Sequence, residues 1–276
     1  MNVILTIWKR EFLKFVRQRN RLINSVFSPL VLILVFSFAL SGLDVTNLGV
    51  STLQYLLPGI IGMTAFTSSM AEAVSLVEDK TSGFMKEFLV SPIKRSELAL
   101  GRMLGDSTKA IFDSIIIFIV SIIVGCRYSF LSIVLIIISV LLVSLTGAAF
   151  GILIANRSKS TKSFRALINL TMLPAFFLSG AYVPIQILPK FIQWIALINP
   201  VTYITSFFRY ISLIPTNVST QVFIENGIII RIQNIMVNPF ISFGIVVMFG
   251  IAFFLLSVKS FKKINATKKI SLYGNL

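Results

Sequence analysis

The chain has 276 residues, 56% of them hydrophobic and only 13% charged, with a mean hydropathy of +0.91. A soluble domain carries about 25% charged residues, so this chain lacks the charge to cover a globular surface and reads as a membrane protein. One cysteine, Cys126, and no histidine exclude an internal disulfide, a His/Cys metal site and any Ser-His or His-metal mechanism.

A net charge of +15 would suggest nucleic acid in a soluble chain. In a membrane chain it follows from basic loops gathered on one side, and no nucleic-acid partner is expected. Residues 1–21 hold six cations and no unbroken apolar core, so no cleavable signal peptide is expected. They set Ile4, Trp8, Phe12, Phe15 and Val16 on one helical face and Lys9, Arg10, Lys14 and Arg17 largely on the other. This pattern predicts an amphipathic interfacial helix in the headgroup layer, anchored by Trp8.

A crossing helix needs about 20 apolar residues. The candidate spans are 22–43, 55–76 (with Glu72 inside), 109–124 (with Asp113), 130–155, 166–183 and 239–258. Lys9, Arg10, Lys14, Arg17, Arg19 and Arg21 precede the first. Lys80, Lys86, Lys94, Arg95, Arg102 and Lys109 lie between the second and third. Arg157, Lys159, Lys162 and Arg165 follow the fourth, and Lys259, Lys262, Lys263, Lys268 and Lys269 follow the sixth. With six spans, twenty-one of the 25 cations fall on one side, and the positive-inside rule places both termini in the cytoplasm. The expected fold is an all-α integral membrane protein in one transmembrane domain, 1–276.

Residues 191–208 are charge-free and long enough to cross, yet a seventh span would export the lysine-rich tail. The Asn199-Pro200 pair breaks that run, which suits two short helices that dip in and return on the external side, within 186–215. Eight spans, with 210–230 as a further crossing, is the alternative.

The densest polar stretch is residues 78–98, EDKTSGFMKEFLVSPIKRSEL. Phe84 and Phe88 are four apart, as are Met85 and Leu89, so a short helix here would carry one apolar ridge. Pro92 disfavours helix at Ser91, and Ser96-Glu97 suits the start of the next. On physical grounds two readings stand level: a loop folded on the membrane surface, or a helix on which a soluble partner docks. No phosphate-binding GxxxxGK[ST] loop exists. Glu72, Asp106 and Asp113 admit two roles, ion pairing near the cytoplasmic boundary or a proton relay.

Residues 78–105, EDKTSGFMKEFLVSPIKRSELALGRMLG, resemble the signature loop of the ABC-2-type permeases. A second block is similar to the family's last-third pattern: FLSGAYVP at 177–184, Leu188-Pro189, Trp194, Asn199-Pro200-Val201-Thr202-Tyr203 and Arg209. RLINSVFSPLVLILVFSFALSG resembles the first span of the drug- and antibiotic-exporter branch. The resemblance implies six spans, an interfacial N-terminal helix (Trp8, Phe12, Phe15), a cytoplasmic coupling helix and external re-entrant helices.

It further implies a multidrug-type exporter subunit in the cell membrane, paired with a second permease copy as a homodimer and with two separate ATPase subunits. ATP and Mg would be bound by those subunits; no cofactor and no catalysis is expected in this chain. Glu78, Thr81, Phe84, Met85, Lys86, Glu87, Phe88, Leu89, Ser91, Pro92 and Arg95 would meet the ATPase. Gly180, Pro184, Asn199, Pro200 and Arg209 would shape the pathway of an amphipathic, drug-like or lipid-linked substrate. An ion- or proton-coupled transporter using Glu72 and Asp113, and a non-transporting scaffold, are the rival classes.

Overall fold

Hydrocarbon offers the backbone no hydrogen-bond partners, so apolar runs of this length fold as helices. In the computed structural model the described residues are 3–17, 51–85, 93–181, 188–213, 220–232 and 235–273, with 27, 31, 34, 35, 87 and 185 as isolated positions. The expected span at 22–43, apart from four of those positions, lies outside them, as do Lys86, Phe88, Leu89, Ser91, Pro92 and Pro184.

The helices are α1 (Val3–Arg17), α2 (Thr52–Glu72), α3 (Val74–Thr81), α4 (Arg95–Ile123), α5 (Phe130–Arg157), α6 (Thr161–Leu178), α7 (Lys190–Ile198), α8 (Pro200–Leu213), α9 (Thr220–Glu225) and α10 (Pro239–Tyr273). A small antiparallel hairpin, β1 (Ile230–Ile232) and β2 (Ile235–Val237), precedes α10 and pairs Ile230 with Val237. Ser51, Ser129 and Ser160 cap α2, α5 and α6, each hydroxyl accepting the backbone N–H three residues on; this satisfies one of the orphan donors of a helix start. Gly125 and Gly180, at φ +101° and +76°, follow the ends of α4 and α6, where a left-handed residue lets the chain turn away.

Among the described residues three stretches are long and apolar enough to cross a membrane: 53–81, formed by α2 and α3 together, α5, and residues 239–261 of α10. Of the other expected crossings, residues 109–123 and 166–178 are helical as parts of α4 and α6, which do not meet the same measure of length and low charge. The α7–α8 pair is bent by 88°, at the Asn199-Pro200 break. Within 210–230 the described residues form the end of α8, the six-residue α9 and the start of β1; among them no helix is long enough by itself to make the further crossing of the eight-span alternative.

Helix α2 is the centre of the bundle. It packs against α4, α5 and α8, with α10 on the far side of α5. Between helices in lipid, small residues allow the backbones to approach and gain dispersion contacts. A Cβ on Gly147 would lie 2.2 Å from the Phe66 carbonyl, and one on Gly151 2.4 Å from that of Met70. Gly101 and Gly105, again four residues apart, admit α1 against α4 in the same way, meeting Ile7 and Glu11.

Candidate functional site

At one end of the bundle three helices are tied by charge. Asp79 of α3 accepts two hydrogen bonds from the Arg10 guanidinium of α1, each 2.9 Å, and one from Lys14 Nζ at 3.0 Å. Arg102 of α4, with no exposed surface, completes the set through its Nη2. Arg102 Nη1 also lies 3.5 Å from Glu11 Oε1, and Arg10 Nη1 is 2.6 Å from the same oxygen. The bidentate guanidinium–carboxylate geometry is the strong form of such a pair. Arg10 stacks on the Phe84 ring, 4.4 Å from its centroid.

About two helical turns further along, Lys109 bridges Glu72 at 3.1 Å and Asp113 at 3.5 Å, and the Ser68 hydroxyl donates to Asp113. Both spanning carboxylates are thus held by one cation, the ion-pairing arrangement of the two open roles. Lys80 reaches sideways to α5, donating to the carbonyls of Ala155, Asn156 and Ser158 at 2.9, 3.0 and 3.2 Å. A cation at a helix C-terminus answers both its unbonded carbonyls and its dipole.

The expected site residues divide. Trp8 donates its indole N–H to Thr108 at 2.9 Å and stacks on Phe12, while Phe15 is buried edge-on to Phe112. Trp8, expected as a headgroup anchor, thus also ties α1 to α4. Against α4, the buried face of α1 is Ile7, Glu11 and Phe15; a face containing a carboxylate can be buried because two arginines meet it. Thr81 and Glu87 are exposed, with Thr81 donating to the Glu78 carbonyl. Met85 is buried at 3% exposure, so it does not belong to an outward apolar ridge: that side chain helps close the core beneath Phe84. Arg95 opens α4.

At the opposite end of α2, Arg209 of α8 is buried and clasped. It donates to the Tyr55 carbonyl at 3.2 Å, the Tyr55 hydroxyl at 2.8 Å, the Gly180 carbonyl at 2.9 Å and the Ala181 carbonyl. The Tyr55 hydroxyl itself donates to the Asn226 carbonyl at 2.5 Å. Arg209 thus points into protein carbonyls. Asn199 joins α7 to α8: its Nδ2 donates to the Ala175 carbonyl at 2.6 Å and its Oδ1 accepts from Val201 N–H. Pro200 takes the first position of α8, where a missing N–H costs nothing.

Reading the sequence alone misses the knot of Glu11, Asp79 and Arg102. The available signal was Glu11 itself, the one acid among the six cations of residues 1–21.

Bundled apolar spans with charge buried at one end and a bent helix pair at the other define a polytopic helical membrane protein. The profile of the ABC-2 type transporter family matches residues 2–213. Among curated relatives, the putative transport permease ycf38 of Cyanophora paradoxa is 26% identical over 75% of this chain and 73% of its own length. The inner membrane transport permease YadH of Escherichia coli K12 is 24% identical over 74% of this chain and 80% of its own. The probable multidrug ABC transporter permease YbhR of the same strain is 24% identical over 58% and 44%. The chain belongs to the ABC-2 type transporter family.

Proposed function

We propose that this chain is the membrane subunit of an ATP-driven exporter that moves an amphipathic, drug-like or lipid-linked substrate, with ATP and Mg bound by separate ATPase subunits. It spans the cell membrane six times with both termini in the cytoplasm, and two copies form the pathway. The segment 78–98 receives the ATPase, through Phe84, Lys86, Glu87, Phe88 and Leu89 with Arg95 at its far end. Asn199, Pro200 and Arg209 shape an external, re-entrant cap, together with Gly180 and Pro184.

The observation that carries this reading is the position of Asp79. It lies inside the expected docking segment and is bonded at once to α1 through Arg10 and Lys14 and to α4 through Arg102. Force that reaches Asp79 is therefore passed by ion pairs to both the interfacial helix and a spanning helix. The sharing of Lys109 by Glu72 and Asp113 supports a structural role for these acids over a proton relay.

The test is co-purification followed by transport. The chain, expressed with its neighbouring ATPase, should be recovered as a complex, and inverted vesicles should accumulate a fluorescent amphipathic probe only with ATP. Glu87→Lys combined with Phe88→Asp should abolish both complex and accumulation while leaving the chain folded. Recovery of the complex and undiminished ATP-dependent uptake in that variant would overturn the reading. So would uptake driven by a pH gradient and lost in Glu72→Gln and Asp113→Asn.

A further inference from the structure

Six of the ten acids of this strongly basic chain gather at the α1 end of the bundle: Glu11, Glu72, Glu78, Asp79, Asp106 and Asp113. The cations there are committed. Arg10, Lys14 and Arg102 hold Asp79; the two arginines also hold Glu11; Lys109 holds Glu72 and Asp113. Asp106 stands apart. It is 3% exposed, its Oδ2 has no hydrogen-bond partner, and no described cation lies within ion-pair distance.

Asp106 faces a cavity of about 50 Å³ between α1, α2, α3 and α4, room for a few water molecules. The charged groups on its walls are Glu11 and Lys14 from α1, Glu72 from α2, Glu78 from α3 and Lys109 from α4 itself. Neither α5 nor α10, which also pack on α4, contributes a lining residue. The approach of α1 is close: a Cβ on Gly105 would meet Glu11 Cβ at 2.5 Å. Docking α1 therefore brings the Glu11 side chain to the backbone next to Asp106. Glu11 is answered by two guanidinium groups, Arg10 and Arg102. An ionised Asp106 would be a second buried anion beside Glu11 without a described counter-ion, a costly state unless it is neutralised.

We propose that this cavity is a proton-binding site in which Asp106 holds the proton, and that the neutral carboxyl is the state in which α1 seats on α4. Burial, and next the neighbouring Glu11, push the Asp106 carboxyl well above the ordinary aspartate range, against the opposing pull of Arg102. No described group of three or more acidic side chains is arranged to hold a metal ion, which favours a proton over a cation as the occupant. The proposal does not depend on the direction of transport or on the substrate.

The sign of the pH effect follows. A carboxyl whose pKa is raised by folding contributes stability that is fully present below its unfolded value and is lost as pH rises through its folded value. The full chain in phospholipid nanodiscs should show the infrared carbonyl band of a neutral carboxylic acid at neutral pH. That band should vanish in Asp106→Asn and persist in Glu72→Gln. The wild-type unfolding midpoint should fall by several degrees from mildly acidic to mildly alkaline pH, whereas the asparagine variant, which mimics the neutral acid, should give a flat profile. Glu11→Gln removes the adjacent anion and should lower the pH at which the acid band is lost, which keeps the test decisive if Asp106→Asn does not accumulate. The proposal is overturned if the band survives in Asp106→Asn, if that variant keeps the wild-type pH slope, or if Glu11→Gln leaves the band's titration unmoved. A midpoint that instead answers to added Na⁺, K⁺ or Mg²⁺, with no acid band, would make the site a cation site and also overturn it.

Discussion

The guanidinium of Arg209 lies over the ring of Tyr55, 3.9 Å from its centroid, while its nitrogens bond both the hydroxyl and the backbone carbonyl of that same residue. Among the described residues no carboxylate meets this buried cation. Carbonyl dipoles, a hydroxyl and an aromatic face take that role, and they come from the start of α2 and the turn after α6; the Tyr55 hydroxyl in turn donates to the Asn226 carbonyl after α9. One side chain thus holds together the end of the bundle opposite the ion-pair knot.

Lysine cannot reproduce this clasp, since a single ammonium reaches at most three acceptors and cannot span a planar fork. Arg209→Lys should therefore destabilise the chain by about 2–4 kcal/mol, the range for hydrogen bonds to a buried charged group, and Arg209→Met should be no better. Tyr55→Phe leaves Asn226 O and one Arg209 donor unmet and should cost about 1–3 kcal/mol. Thermal unfolding in a fixed detergent ranks the three; a wild-type midpoint for Arg209→Lys would contradict the assignment.

At the α1 end, Asp79→Asn should be among the more damaging conservative changes. It leaves the fully buried Arg102 without its main counter-charge, a loss of about 3–5 kcal/mol. Arg102→Met alone should also destabilise, but the double variant should recover part of the loss, because neither partner is then left unpaired. A double-mutant cycle on unfolding midpoints reads the coupling; strict additivity would show that the pair is not coupled.

The seating of α1 can be followed through Trp8, whose indole bonds Thr108. In a Trp194→Phe background, which leaves Trp8 as the only tryptophan, Gly105→Ala should shift the emission of Trp8 as α1 is pushed away from α4. The obstacle there is a side chain, Glu11, so the expected cost is the usual 1–3 kcal/mol, order of magnitude about that of an overpacked contact. Unchanged emission would mean that α1 tolerates the extra methyl group.

Gly147→Ala should be worse than Gly105→Ala. The methyl at position 147 would strike the backbone carbonyl of Phe66, which can move only if α2 moves as a whole. Reduced yield of folded protein, relative to Gly105→Ala expressed side by side, checks this; equal yields would argue against close α2–α5 packing.

The amino-acid sequence by itself determined that the chain is helical and membrane-embedded, where most helices lie, and that Asn199-Pro200 breaks a helix. These follow from composition, from run length and from a dipeptide whose chemistry acts locally. It also carried the family, through 78–105 and the block from Phe177 to Arg209. Only the tertiary structure decided which charges meet. Arg102 follows Asp79 by 23 positions and Arg10 precedes it by 69, and no periodicity links residues so far apart on three helices. The same holds for the burial of Met85, and for Asp106, whose isolation appears only once every nearby described cation has been assigned to another acid. In a chain with few charges each one must find a partner in low dielectric, and three-dimensional packing chooses that partner.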